Sequence, residues 1–191
     1  MSDERLTRLL ARLDALNAQD PHPETPIRPR ELTYAAQLTR WVLRLNPQAS
    51  EPLRIAARGQ HVQRWTIPRE RYPRTRAGYL KWRETLKAFH ADTVGGLMQE
   101  AGYEPAMIER VRRLILKKDL HDPDTQTLED ALCLVFLEAQ FAAFRPTVTE
   151  EKLREIVKKS WQKMSAQARE EALKLPLGNE EKAWLQQTLK N

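Results

Sequence analysis

Apolar residues recur along the chain at intervals of three and four, the spacing that places them on one face of an α-helix. The N-terminal segment shows this most clearly, with Leu6, Leu9, Leu10, Leu13 and Leu16. No segment shows sustained alternation of apolar and polar residues, which is the pattern of a half-buried strand. The chain is therefore predicted to be all-α, with eight or nine helices.

Proline, glycine and capping residues divide this pattern into separate helices. After the first helix, Pro21, Pro23, Pro26 and Pro29 predict an irregular tether, and residues 119–127 a polar loop. The segment 128–144 is apolar nearly all round, so we expect it at the centre of the core. The predicted helices cover residues 3–18, 30–46, 50–65, 75–101, 104–118 and 128–144, followed by three that begin after Thr147, Ser165 and Asn179.

The two ends of the chain differ in the width of their apolar stripes. Beyond residue 146 the stripes are narrower and the charge is denser. We therefore expect residues 1–146 to form a helical core with the N-terminal helix and the tether. Residues 147–191 should add helices that pack on this core within the same domain.

Composition limits the class of protein. The chain has 191 residues, of which 41% are hydrophobic and 30% charged, enough for one well-buried core. It has no apolar run of the roughly 18 residues that span a membrane, and its first residues lack the pattern of a secretory signal. The single Cys133 cannot build a disulfide framework. We predict a cytoplasmic protein without a membrane partner, and the sequence does not indicate its oligomeric state.

Positive charge is concentrated in one segment. Residues 51–87 contain 10 Lys and Arg against 3 Glu, a net charge of +7, whereas the whole chain carries +6. Trp65, Tyr72 and Trp82 lie among these arginines, a mixture suited to a phosphate-bearing or flat ligand. A nucleic-acid polymer usually meets positive charge spread along a face. The compact patch therefore favours a small anionic ligand.

Histidines and an acidic pair occur at specific places in the helices between residues 30 and 144. One helix ends in Ala56-Ala57-Arg58-Gly59-Gln60-His61, the next contains His90, another ends in Lys117-Lys118, and the apolar helix is entered through Glu129-Asp130. This order resembles the HD-domain metal-dependent phosphohydrolases. In that superfamily an early helix supplies a His, the next an adjacent His-Asp pair and a later helix an Asp, which together bind divalent ions. The resemblance implies an HD-like helical core with a C-terminal helical appendage.

Residue by residue, the resemblance is partial. His61 takes the place of the His in the His-Asp pair, and Asp130 that of the final Asp. Val62 follows His61, and Tyr34 stands near the expected first His, so two of the four primary ligands are replaced. His90 matches the His that often supports a second metal or a phosphate. The resemblance implies that His61, His90 and Asp130 are catalytic and are the candidate ligands of a divalent metal, the candidate cofactor.

Cations near these positions favour direct binding of an anion. Lys117 stands where the superfamily often has another His, and with Arg58 it would compensate for a missing metal charge. The residues that we predict to hold or flank the ligand are Tyr34, Arg58, Gln60, Arg64, Trp65, Arg69, Tyr72, Arg76, Tyr79, Trp82, Arg83 and Lys117.

Longer stretches carry a closer resemblance. They include Arg58-Gly59-Gln60-His61-Val62-Gln63-Arg64-Trp65, Gly78-Tyr79-Leu80-Lys81-Trp82-Arg83 and Gln126-Thr127-Leu128-Glu129-Asp130. These are similar to a bacterial family described as a domain of unknown function, some members of which are labelled "glutamyl-tRNA synthetase-like". The resemblance covers most of residues 10–165 and implies no settled activity. The chain has neither the strand pattern nor the His-x-Gly-His motif of a class I synthetase.

Three functional hypotheses follow. The first is a pocket for a phosphorylated small molecule or nucleotide, with phosphoester hydrolysis as its candidate reaction. The second is a non-catalytic RNA- or protein-binding module that uses the Arg-rich loop. In the third, the arginines are structural and pair with carboxylates such as Glu31, Asp92 or Asp130. For Asp130, which opens a helix, capping competes with a catalytic role.

Overall fold

The computed structural model describes residues 2–25, 28–119 and 121–190, most of which are helical. Ten α-helices occur in this part of the chain, so the all-α prediction is confirmed. Two very short strands, β1 (Pro23–Thr25) and β2 (Arg28–Pro29), pair antiparallel within the proline-rich tether. None of the described helices combines the length and hydrophobicity needed to cross a membrane. The HD-like arrangement stays a prediction.

The helices largely follow the predicted pattern. A π-helical stretch, Phe136–Gln140, joins the sixth and seventh helices, and short 3-10 turns lie at Arg64–Thr66, Arg69–Arg71 and Arg145–Thr147. The bounds are α1 Ser2–Asn17, α2 Arg30–Leu45, α3 Glu51–Gly59, α4 Arg76–Glu100, α5 Pro105–Leu116, α6 Pro123–Val135, α7 Phe141–Phe144, α8 Glu150–Lys163, α9 Ala166–Leu173 and α10 Asn179–Lys190.

Three helix boundaries differ from the sequence prediction. α3 ends at Gly59, not near residue 65, and Gln63 then adopts a left-handed conformation (φ 52°) that a right-handed helix cannot contain. α6 begins at Pro123 inside the predicted polar loop, because Asp122 Oδ1 accepts the first free backbone N–H groups of this helix. Thr149, rather than Thr147, caps α8.

The chain divides into two compact units, Met1–Thr125 and Gln126–Asn191. In the first unit α3 contacts α1, α2, α4 and α5, and Leu53 and Ile55 are fully buried. In the second unit α8 packs against α10, and Leu153 and Val157 are buried. Residues 126–146 group with the C-terminal helices. The predicted domain organisation, with its boundary at residue 146, stays a prediction.

The end of α3 approaches α4 very closely. A Cβ atom built on Gly59 would lie 2.4 Å from Val94 Cγ2, far inside van der Waals contact. A methyl group at this position would therefore force the Val94 side chain or the helices to shift. The contact lies immediately before Gln60 and His61 and sets where the chain leaves α3.

We predict that Gly59→Ala lowers the free energy of unfolding by about 2 kcal/mol, because the new methyl group overpacks the contact between α3 and α4. Gly96→Ala is the matched control, since nothing lies within 4 Å of a Cβ at this position in α4. The control should gain about 0.5–1 kcal/mol from the better helix propensity of alanine. Urea denaturation measures both changes, and equal stability of the two variants would contradict the tight contact.

Candidate functional site

Two of the predicted histidines lie in one cluster with an aromatic ring. Tyr34 of α2 stacks on His61, with ring centroids 4.0 Å apart and planes 7° from parallel. The centroids of His61 and His90 are 5.9 Å apart. His61 lies in the turn after α3 and His90 on α4, so three elements converge. We call Glu31, Tyr34, His61, Arg64 and His90 the His61 cluster.

Glu31 is the member of the cluster that the sequence analysis named only as a possible carboxylate partner of an arginine. Its Oε2 lies 3.3 Å from His61 Nδ1, and the residue is only 7% exposed. Asp20 positions it by accepting the backbone N–H of Glu31 at the start of α2. A signal was present in the sequence, because Glu31 shares the helical face of Tyr34 and Leu38, three and seven residues later.

The carboxyl group of Glu31 is present in both its protonated and its ionised form near neutral pH. Burial raises its pKa to about 7, while the nearby Arg64 opposes this shift and Asp20 adds to it. A carboxyl with such a pKa exchanges a proton readily near pH 7. The cluster therefore contains a group that can act as an acid or a base near pH 7. A glutamate on the surface would be ionised at this pH.

Both histidines are held neutral. Burial lowers the pKa of His61 well below its usual range, and the charges of Arg64, Arg83 and Lys117 lower it further. Burial lowers the pKa of His90 to about 3, with His61 and Arg64 adding to the shift. The His61 side chain remains 20% exposed, so the cluster reaches solvent at this residue.

The hydrogen bond of His90 determines its tautomer. Nδ1 lies 2.9 Å from the carbonyl oxygen of Val62, which can only accept, so Nδ1 carries the hydrogen. Nε2 of the neutral ring is then an acceptor. This buried atom has no hydrogen-bond partner in the described part of the chain.

Three elements bring positive charge towards His61. Arg64 follows it in a 3-10 turn, Arg83 lies on α4, and Lys117 ends α5 in a left-handed conformation (φ 58°). The Arg64 guanidinium lies over the Trp82 ring, 4.7 Å from its centroid. The indole is itself fixed, because its Nε1 donates to the carbonyl of Ile67 at 2.9 Å.

Other predicted ligand-binding residues have structural contacts. Arg58 donates to both carboxylate oxygens of Asp14, at 2.5 and 2.6 Å, and so joins α3 to α1. Arg69 donates to the carbonyls of Tyr72 and Pro73 at 2.8 Å and shapes the Arg-rich loop. For these two arginines the structural hypothesis is supported, although their partners are not the carboxylates that we expected.

The remaining predicted residues lie around the Arg-rich loop and the end of α3. Trp65 and Tyr72 are half-buried, and Arg76 is exposed at the start of α4. Tyr79 is 44% exposed, with its ring 5.9 Å from that of Trp82. Gln60 is only 5% exposed, and its Oε1 has no hydrogen-bond partner among the described residues.

Asp130 lies in the second unit. Its Oδ1 accepts from Gln126 Nε2 and from the backbone N–H of Ser165, both at 2.9 Å. Ser165 is the N-cap of α9, so Asp130 connects α6 to the start of that helix. Asp130 therefore does not cap the helix that it was expected to open, because α6 begins seven residues earlier at Pro123. The catalytic role of Asp130 stays a prediction.

The described residues do not fit the metal set that the HD resemblance implies. No group of three or more His, Cys, Asp or Glu side chains among them is placed to hold a metal ion. Tyr34 is stacked flat on His61, and Val62 offers its carbonyl to His90 in place of a carboxylate ligand. We derive no step through a metal.

A model of the family described as Domain of unknown function (DUF4202) matches residues 7–185. The chain belongs to this family. The match includes every residue of the His61 cluster, and the family description names no activity. No curated protein and no solved structure matches the chain.

We predict that His90→Asn flattens part of the pH dependence of stability. Unfolded His90 takes up a proton below about pH 6.5, whereas the folded protein, with a pKa of about 3, excludes it. As the pH is lowered from 6.5 to 4.5, the free energy of unfolding of the wild-type protein should therefore fall by on the order of 2–3 kcal/mol more than that of the variant. Asn can keep the donor to Val62 O, and urea denaturation at both pH values measures the difference. Parallel profiles would contradict the assigned burial.

Glu31→Gln should alter the pH dependence of stability at the other end of the range, since wild type loses stability there as the pH rises. The folded-state pKa of Glu31 is raised above its unfolded value, so ionisation destabilises the fold as pH rises from about 4.5 through 7. Above pH 7 the variant should be more stable than wild type by on the order of 3 kcal/mol, and the gain should vanish near pH 4. A gain that does not depend on pH would show that packing, and not charge, is responsible.

Proposed function

We propose that the protein binds a phosphorylated small molecule or nucleotide beside His61, through Arg64, Arg83 and Lys117. The supporting observation is the charge balance of the His61 cluster. Three cations act on the imidazole, while burial raises the pKa of the nearby carboxyl of Glu31 to about 7 and so reduces its negative charge at neutral pH. The surroundings of His61 are therefore positive and suited to an anion.

Two of these cations gain most from an anionic partner. Arg64 and Arg83 are half-buried, and the guanidinium of neither makes an ion pair or hydrogen bond within the described residues. Burial lowers the pKa of Arg64, which shows that its charge is poorly solvated. A phosphate would replace the lost hydration with short, charge-assisted hydrogen bonds that match the planar guanidinium.

Hydrolysis of a phosphoester is the reaction that the cluster would serve. Glu31 has the near-neutral pKa of an efficient general base, and His61 lies 3.3 Å from it. In this reaction water adds to phosphorus and loses a proton to the pair of Glu31 and His61. The ester P–O bond breaks, its electron pair leaves on the alkoxide, and the alkoxide takes a proton from solvent.

A separate surface favours the RNA-binding alternative. Arg71, Arg74 and Arg76 are exposed, and Tyr79 and Leu80 beside them are 44% and 53% exposed. An exposed ring among arginines, here that of Tyr79, can stack on an unpaired base. Because these side chains are not part of the His61 cluster, substitutions can separate the two functions.

We predict that Arg64→Met weakens binding of adenosine 5′-monophosphate and glycerol 3-phosphate by about 10- to 100-fold, because it removes a charge-assisted contact. Arg74→Met, an exposed arginine outside the cluster, is the matched control and should bind like wild type. Isothermal titration calorimetry measures binding, and release of inorganic phosphate measures cleavage.

Several outcomes would change the proposal. Wild-type protein that binds no phosphoester at millimolar concentration would overturn it. Binding without phosphate release would leave recognition in place and remove the hydrolytic step. Tight binding of a single-stranded RNA that Arg74→Met weakens, with a log-log salt slope of about −0.7 for each phosphate engaged, would favour the alternative.

A further inference from the structure

Three buried polar atoms in or next to the His61 cluster have no hydrogen-bond partner in the described part of the chain. They are Oε1 of Gln60, Nε2 of His90 and Oε2 of Glu31; the last lies 3.3 Å from His61 Nδ1 but makes no hydrogen bond with it. The three residues are 7%, 5% and 2% exposed. Buried polar groups are nearly always paired, and an unpaired one costs about 1–3 kcal/mol. Three such atoms near one residue indicate a place where a ligand completes the hydrogen bonding.

These atoms share one chemical property. Nε2 of His90 is an acceptor because Nδ1 is the donor to Val62, and Oε1 of Gln60 is an amide oxygen. Oε2 of Glu31 accepts whenever the carboxyl is ionised. We call Glu31, Gln60 and His90 the acceptor wall. A phosphate dianion offers only acceptors, so this wall must face a different part of the ligand, one that donates.

Glu31 and His90 of the acceptor wall lie close to His61, on which the cations act. Gln60 immediately precedes His61, and Glu31 Oε2 lies 3.3 Å from its Nδ1. The charges of Arg64 and Arg83 act on both His61 and His90. One small molecule could therefore reach both the cations and the acceptors.

We propose that the ligand is a phosphorylated polyhydroxyl compound, a free sugar or polyol phosphate or the ribose of a nucleotide, whose hydroxyl groups donate to the acceptor wall. This inference rests on the proposed function, which places the phosphate on Arg64 and Arg83. The hydroxyl groups supply the donors that a phosphate lacks. Ordered water could also donate to these atoms, and the experiment separates the two cases.

A matched pair of probes tests this inference. Propyl phosphate and glycerol 3-phosphate share the phosphate and a three-carbon chain and differ in two hydroxyl groups. We expect the wild-type protein to bind glycerol 3-phosphate at least about 10-fold more tightly in calorimetric titrations, since each hydrogen bond to a buried acceptor contributes about 0.5–1.5 kcal/mol. Ribose 5-phosphate and adenosine 5′-monophosphate then distinguish a free sugar phosphate from a nucleotide.

The variant His90→Asn tests whether the acceptor wall causes the preference for glycerol 3-phosphate over propyl phosphate. It removes the Nε2 acceptor while keeping a donor for the carbonyl of Val62. The preference for glycerol 3-phosphate should shrink, whereas the affinity for propyl phosphate should not change. The probe comparison in the wild-type protein stands even if this variant fails to fold.

The possible failures are distinguishable. If neither ester binds, the proposed phosphate site is wrong. If both esters bind with equal affinity, the phosphate site holds, the wall is satisfied by water, and the inference is overturned. A preference that His90→Asn, Glu31→Gln and Gln60→Leu all leave unchanged would also overturn it.

Discussion

The close approach of α3 to α4 is the constraint on which the site depends. Because Gly59 has no side chain, Val94 can lie directly against the end of α3. His61 follows two residues after Gly59, and its ring lies between Tyr34 of α2 and His90 of α4. A wider separation of the two helices would move His61 away from His90, which lies on α4.

Burial gives the cluster its electrostatic character. The same loss of water raises the pKa of Glu31 to about 7 and lowers that of His90 to about 3, because it disfavours whichever form is charged. The cluster thus combines polar groups that carry little charge of their own with the cation Arg64, and the charge of Arg83 acts on it from α4. This combination provides both hydrogen-bond acceptors and a positive field within one region.

The arginines of residues 51–87 do not act as one patch. Arg58 and Arg69 are engaged by a carboxylate and by backbone carbonyls, and they stabilise the fold. Arg64 belongs to the His61 cluster and lies over the Trp82 ring, and Arg74 is exposed to solvent. The net charge of residues 51–87 indicates the segment but cannot separate these roles, because each role depends on the group that the guanidinium contacts in the folded protein.

Local pattern determined the helices, because apolar spacing and capping act within a few residues. The same local pattern places Glu31 and Tyr34 on one face of α2, but it does not show that Glu31 belongs to the site. Only the tertiary structure brought His61 against Glu31 and paired Arg58 with Asp14, 44 residues away. The physical reason is that burial, ion pairing and pKa depend on distances between elements, and helical periodicity contains no information about those distances.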